Sequence, residues 1–306
     1  MKWKKLGRIF CPDKNSNWMY SHAMIPIAEK IHDDSYRIYF TTRDKNNRGH
    51  GAYLEFDMRN PLKVVRVHDK PVLKPGELGC FDDSGAVPNS IVQIGGRKIM
   101  YYTGVNLGVT VSFRNAIGLA EWSEQSQNFV RCFEGPIIDR TRDRPHFVAT
   151  PEVIYEDRFR GWFIACVGWK SHSDGPRHYY HIEYAESKDG VVWERDGTIA
   201  VDFRDEFEYA IAGPRIIRDD DVYKMWFCSR ATADCPSYRI RYATSGDGMN
   251  WRRHDDVVGI DVSPTGWDSN MICYPFVFDH KGERYMLYNG NDYGRTGFGL
   301  AILECE

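Results

Sequence analysis

A short apolar segment carrying one proline occurs five times in this chain, and its spacing predicts an all-β fold, a five-bladed β-propeller. The copies are HAMIPI, AVPNSIV, TPEVIY, GPRIIR and YPFVFD, with Pro26, Pro88, Pro151, Pro214 and Pro275 separated by 62, 63, 63 and 61 residues. An aromatic-rich stretch and a further β-patterned stretch follow each copy. No segment shows the apolar period of an amphipathic helix of about ten residues or more.

Taken in order, the chain opens with Trp3–Phe10, apolar at alternate positions, a strand with no partner nearby in sequence. Each repeat then starts with its proline-bearing strand. The second strands are YRIYFTT (36–42), KIMYYTG (98–104), GWFIACVGW (161–169), VYKMWFCSR (222–230) and ERYMLYNG (283–290). The third strands are GAYLEFD, AIGLAEWS, HIEYAES, RIRYATS and GFGLAIL. Four repeats add a weaker fourth strand, such as LKVVRV (62–67), and the fifth does not. The opening strand is therefore expected to complete the last blade and close the ring, making residues 1–306 one domain. Between third and fourth strands lie SKDGVVW (187–193), SGDGMNW (245–251) and a degenerate SEQSQNF (123–129). Asp-Gly supplies the positive φ of a tight hairpin, so these motifs read as structural, with the Trp capping the blade edge.

Composition limits the function. Forty-two per cent of the 306 residues are hydrophobic and the formal charge is −3, which argues against a nucleic-acid or membrane-surface binder. No run approaches the roughly 18 apolar residues of a membrane span. The basic N-terminus lacks an apolar signal core, and eight scattered cysteines form no CxxC pair. Both features point to reduced thiols and a cytoplasmic protein.

Propeller geometry turns the repeat into a site. The first strand of a blade crosses from one face to the other and the second returns. Residues just before the first strand and just after the second therefore share the channel mouth. Those positions hold His22, Asp82, Asp83, Glu152, Glu208, Asp268 and Asn270, and then Arg43, Asn106, Trp169, Lys170, Arg230 and Asn291. Asp82 and Glu208 each lie six residues before a proline, so both are expected to face the channel as a general acid/base pair, with Asp83 beside them. Trp169 suits stacking on a sugar ring; Trp18, Tyr274 and Tyr293 are weaker candidates. Arg43, Lys170 and Arg230, joined by His22, suit an anionic group or, alternatively, ion pairs with the acids. His178 and His181, in HYYH, are expected on opposite strand faces, which speaks against a shared metal.

Five blades, Ser-x-Asp-Gly-x-x-Trp hairpins and acids ahead of the inner strands resemble the five-bladed propeller glycosidases, which include glycoside hydrolase families 32, 43, 68, 117 and 130. EYAIAGP resembles the family 43 segment carrying the general acid, which would fall on Glu208, and FDDSG resembles acidic second-blade segments of the group. Families 43 and 32 place an aspartate at the start of blade one, whereas this chain has YSHAMIP. The resemblance thus implies cleavage or transfer of a glycosidic bond in a sugar or oligosaccharide. It leaves open an unusual carboxylate pair, a His22-assisted variant, phosphorolysis as in family 130, or glycan binding without catalysis. It implies no cofactor beyond a structural calcium or water cluster of the kind some relatives hold in the channel.

Overall fold

The computed structural model describes residues 1–232 and 234–305. Its secondary structure is β-strand apart from one 3₁₀ turn and one four-residue helical turn, so the all-β expectation holds. Among the described residues no helix is long and apolar enough to cross a membrane. Strand β1 is Lys2–Phe10. Unit one contains β2 (Ser21–His32), β3 (Ser35–Arg43), β4 (Gly49–Asp57) and β5 (Val64–Val67). Unit two contains β6 (Gly85–Ile94), β7 (Arg97–Val105), β8 (Ala116–Ser123) and β9 (Asn128–Arg131). Unit three contains β10 (Val148–Tyr155), β11 (Phe159–His172), β12 (Gly175–Ser187) and β13 (Ile199–Val201). Unit four contains β14 (Glu208–Asp219), β15 (Val222–Ala231), β16 (Arg239–Ser245) and β17 (Arg252–Arg253). The last unit contains β18 (Cys273–His280), β19 (Glu283–Asn289) and β20 (Phe298–Cys305), and β1 runs antiparallel to β20 as its fourth strand. Strands within a unit pair antiparallel in sequence order. Single parallel contacts, Gly49 with Gly85 and Tyr180 with Ala210, link unit one to two and three to four. The first strands touch in cyclic order: β2 meets β6, β6 meets β10, β10 meets β14, β14 meets β18, and β18 meets β2.

The aromatic second strands follow from this stacking. Each unit packs between two others, so both faces of its sheet are covered and successive side chains are both buried. Tyr39–Phe40, Tyr101–Tyr102, Trp162–Phe163, Trp226–Phe227 and Leu287–Tyr288 are consecutive pairs at the same level, every member at most 1% exposed. Full burial of one such side chain is worth roughly 1.5–3 kcal/mol.

The five prolines mark a bulge. Every first strand breaks register with its neighbour around its proline. Proline lacks the N–H a regular ladder needs, which favours this irregularity. The residue ahead of the proline is left-handed in four copies: Ile25 (φ 54°), Thr150 (φ 44°), Gly213 (φ 61°) and Tyr274 (φ 50°). Three of those are non-glycine and strained. These bulges surround an axial cavity of about 20 Å³, lined by Pro26, Pro151, Pro214 and Pro275 and by Glu152 and Arg215. Arg215 donates to Glu152 and to the Val277 carbonyl, and lies 3.9 Å over the Phe276 ring. The axis is thus filled by protein, with room for about one water.

The Ser-x-Asp-Gly hairpins have one geometry in both full copies. The Ser187 and Ser245 hydroxyls donate to Asp189 and Asp247 at 3.0 and 2.9 Å, and each aspartate caps two following amides. The hairpin carbonyls then accept from the preceding unit: Tyr101 reaches Gly190 at 3.0 Å and Trp162 reaches Gly248 at 2.8 Å. The motif tryptophans lie edge-on to those same rings at 5.9 and 6.2 Å; they also contact their own unit, Trp251 donating to the Gly248 carbonyl at 2.8 Å and Trp193 covering Gly161 of β11.

A second tie joins the start of a unit to its outermost strand. Asp82 accepts from Arg131 on β9 (2.8 and 2.6 Å) and from Tyr102 on β7 (3.0 Å). Glu208 accepts from both terminal nitrogens of Arg253 on β17, at 2.6 and 2.9 Å, and from the Arg204 amide. Asp268 accepts from Lys5 on β1 at 2.7 Å and from Tyr288 on β19 at 3.1 Å. The acids are 0, 3 and 2% exposed. Removing one partner of such a pair leaves a buried charge uncompensated and costs about 3–5 kcal/mol. Arg253→Met is expected to lose that much in urea unfolding, and adding Glu208→Gln to restore part of it. A single variant as stable as the parent would contradict the tie.

Candidate functional site

The mouth is built where unit five meets unit one. A cavity of about 840 Å³ lies among the segment after β1 (Cys11, Pro12, Lys14), the start of β2, the β3–β4 turn and a helical turn, α1 (Asn291–Gly294). His22 and Arg43 both line it, so the structure brings these two sequence candidates together. His22 is left-handed (φ 63°) and shares a hydrogen bond with the Ser21 hydroxyl at 2.9 Å. Burial, and then the charges of Arg43 and Arg295, push its imidazole down to about 4. Arg43, the last residue of β3, donates to Asn47 at 3.0 Å, and burial pulls its guanidinium below the usual range.

Tyr293 joins this cavity to a second arginine. Its hydroxyl accepts from Arg230 on β15 at 2.7 Å. The other end of Arg230 lies 3.3 Å from Nε2 of His178, and its guanidinium sits 4.8 Å from the Tyr238 ring centroid and 5.0 Å from that of Tyr209. Its Nε is buried without a hydrogen-bond partner. His178 is likewise pushed down to about 4, by burial and then by Arg230 and Arg177, so it stays neutral and can accept from the arginine. Among the described residues neither Arg43 nor Arg230 has a carboxylate within 4.0 Å.

Aromatic rings extend the wall from His178. Trp169 lies 5.1 Å from His178, 5.7 Å from Phe113 and 5.9 Å from Phe147, and His178 stacks on Tyr180 at 5.0 Å. Trp169 keeps part of its surface in solvent, as a stacking platform requires. Lys170 is exposed and rests 4.5 Å over the Tyr179 ring.

The remaining sequence candidates lie elsewhere. Asp82, Glu208 and Asp268 are the three clamped acids, so the expectation that Asp82 and Glu208 face one another across an open channel is corrected. Their shared distance from a proline reflects a repeated tie to the outer strand. Burial raises the Glu208 carboxyl, but the bonds and charge of Arg253 outweigh it and hold Glu208 below the usual range, in a buried ion pair that protonation would break. Glu152 sits in the axial cavity with Arg215, not in the mouth. Asp83 accepts from Ser84 (2.9 Å), Asn106 (3.1 Å) and the Gly79 amide (3.1 Å), all neutral donors. Burial opposes these bonds, which nevertheless hold its carboxyl below the ordinary range. Asn291 accepts from the Asn270 and Met271 amides at 2.7 and 3.0 Å, bracketing the loop that precedes β18. Trp18 packs against the core of unit one.

Sequence reasoning passed over His178 as a site residue, along with Tyr209, Tyr238, Lys14, Lys45 and Arg295. Period two was the available signal for His178: it aligns with Tyr180 on one face of β12, while His181 turns away to Asp202. β11 and β12 run to 14 and 13 residues, which carries Trp169 and His178 beyond the length of the other units' strands.

Solved structures share this architecture. A complex of BT0996 with RGII aligns with TM-score 0.76 and 18% identity over 97% of this protein and 90% of that one. A thermostable family-43 glycoside hydrolase aligns at 0.68 and 15%, covering 94 and 90%. A structure from the GH130 family of mannoside phosphorylases, which contains glycoside hydrolases that target β-1,2 mannosidic linkages in Candida mannan, aligns at 0.72 and 14%, covering 98 and 93%. These likenesses show a shared fold. No family model matches the chain. Over 305 residues it is 44% identical to the uncharacterized protein Rv1502 of Mycobacterium tuberculosis H37Rv, covering 99% of this chain and 100% of that one, and equally to MT1551 of strain CDC 1551. The chain belongs to the family of Rv1502.

Two depressed histidines set a pH dependence. The fold favours neutral His22 and His178, whereas the unfolded chain protonates them near 6.5. Their contribution is complete above pH 6.5 and is lost as pH falls toward 4. The thermal midpoint is expected to fall between pH 6.5 and 4.5, with a shallower slope in His178→Gln. A flat profile over that range would oppose the assignment.

Proposed function

We propose that this protein is a carbohydrate-active enzyme, a single closed five-bladed propeller that cleaves a glycosidic bond with phosphate as the attacking group. The cyclic order of first strands and the pairing of β1 with β20 support the closed ring. The observation that carries the chemistry is two arginines without carboxylates: Arg43 lines the mouth together with Tyr293, and the Tyr293 hydroxyl accepts from Arg230. A half-buried guanidinium without a counter-ion is costly, and a bound oxyanion repays that cost. The cysteines whose side chains are described are free thiols, in keeping with a cytoplasmic setting where phosphate is abundant.

In this reading a phosphate oxygen attacks the anomeric carbon, the glycosidic C–O bond breaks, and the departing oxygen takes a proton from a carboxyl group. The products are a sugar 1-phosphate and a shortened saccharide. Arg43 and Arg230 hold the phosphate, Trp169 supports the sugar ring, and Asp83 delivers the proton. Asp82 and Glu208 are assigned to the frame. Neutral donors hold Asp83 ionised, so the substrate must displace some of them before the carboxyl carries a proton, and the rate should decline as pH rises.

The test is a panel of α- and β-linked disaccharides incubated with and without inorganic phosphate, with sugar 1-phosphate followed by phosphorus NMR. Phosphate-dependent product is expected, with a loss of about 100-fold or more in Arg230→Met and in Arg43→Met. Asp83→Asn should abolish turnover and retain phosphate binding. Equal cleavage without phosphate would replace phosphorolysis by hydrolysis. Saccharide binding without product would favour a glycan-binding propeller, a reading that the clamping of Asp82, Glu208 and Asp268 also fits.

A further inference from the structure

We infer that the outer part of the mouth is a second anion site, formed by Lys14, Lys45 and Arg295 above His22 and Arg43, and that it takes a saccharide bearing a phosphate monoester. The inference rests on the reading of the mouth as a saccharide site and names the class of sugar.

Charge pairing is the first observation. Cations of the frame meet carboxylates: Arg131 meets Asp82, Arg253 meets Glu208, Arg215 meets Glu152, Arg284 meets Asp219 and Asp279, and Lys98 meets Glu29. The four cations lining this cavity do not. Lys14, Arg43, Lys45 and Arg295 all line it, and none has an ion pair among the described residues. Asp44, an acid on the wall, is already engaged by Arg48 at 3.0 Å and His50 at 3.1 Å. Only exposed Asp292 remains to oppose four cations.

Placement is the second. The four cations come from three stretches: Lys14 from the segment after β1, Arg43 and Lys45 from the end of β3 and the turn after it, and Arg295 from the residue after α1. Nothing in local sequence joins these three stretches. The fold converges them where unit five meets unit one, against their mutual repulsion, and a ligand charge is what relieves it.

Size and charge select the ligand. A volume of about 840 Å³ is that of a site for a mono- or disaccharide with a substituent, not for a lone ion. A carboxylated sugar brings one negative charge, which a single arginine fork satisfies. A phosphate monoester brings about −1.5 to −2 at neutral pH and three acceptor oxygens, matching several cations on flexible stems. Lys14, Lys45 and Arg295 are exposed at the rim, so they can close on such a group from outside while Arg43 meets the ring or a second oxyanion below.

The test is calorimetric titration of the full-length protein with the 6-phosphates and 1-phosphates of glucose, mannose and N-acetylglucosamine, their parent sugars, glucuronic acid and inorganic phosphate. At least one sugar phosphate is expected to bind tenfold or more tighter than its parent sugar, than glucuronic acid and than inorganic phosphate, with affinity falling as salt rises. The rim variant Lys14→Ala, Lys45→Ala, Arg295→Ala should reduce that preference tenfold or more. All three residues are exposed, so a thermal midpoint within a few degrees of the parent is expected to accompany the loss. Parent sugars binding as tightly as their phosphates, or a rim variant with unchanged preference, would overturn the inference. So would inorganic phosphate matching every sugar phosphate. Sugar-phosphate binding without turnover supports the rim site and counts against the proposed reaction. Phosphorolysis of neutral disaccharides with no gain from a phosphate substituent does the reverse.

Discussion

A buried carboxylate answered by a cation from the outermost strand is the constraint on which much of this structure rests. Asp82 with Arg131, Glu208 with Arg253 and Asp268 with Lys5 repeat it in three units. Each ties the segment entering a unit to the strand farthest from the axis, so the entry loop is fixed relative to the whole sheet. The same interaction decides the chemistry. An acid that must stay ionised to hold a frame is poorly placed to give up or carry a proton, and the mouth inherits whatever charge the frame has not consumed.

What it inherits is positive. Arg43 and Arg230 lie partly buried without a carboxylate, and burial together with their fields keeps His22 and His178 neutral. A neutral imidazole beside an arginine accepts a hydrogen bond without adding charge, so the histidines position the guanidinium groups rather than compete with them. The axis below is filled by the Glu152–Arg215 pair and four proline rings, which makes the mouth a basin with a floor rather than the end of a tunnel.

Much of the fold was legible in the sequence because it obeys short-range rules. The five prolines appear at even intervals because each first strand needs a bulge at the same height. The paired aromatics of the second strands appear because both faces of each sheet are covered. The Ser-x-Asp-Gly hairpins could be read as turns, since their hydrogen bonds close within six residues. The site was less legible, because the role of an acid depends on its partner. Asp82 and Arg131 are 49 residues apart, and nothing near Asp82 announces that pairing. The matching positions of Asp82 and Glu208 were therefore visible while their meaning was not. Arg43 could be read because its place at the end of a second strand puts it in the mouth cavity, while Arg230 lies within β15 and meets that cavity through Tyr293. Tyr293, which lines the cavity and accepts from Arg230, lies in a turn with two left-handed residues whose shape no local pattern reveals.

The pairing of β1 with β20 bears on how the chain reaches this structure. Lys2 lies opposite Cys305, a contact that spans nearly the whole sequence. Strand β1 leaves the ribosome before any partner exists for it and stays an unpaired edge while the other units form. Its docking is the most non-local event in the molecule, so it carries the largest loop-closure cost and belongs late in folding. Until then Asp268 lacks Lys5, and the wall of the mouth contributed by Cys11–Lys14 is not anchored. Docking of β1 and anchoring of this wall of the basin thus depend on the same contacts.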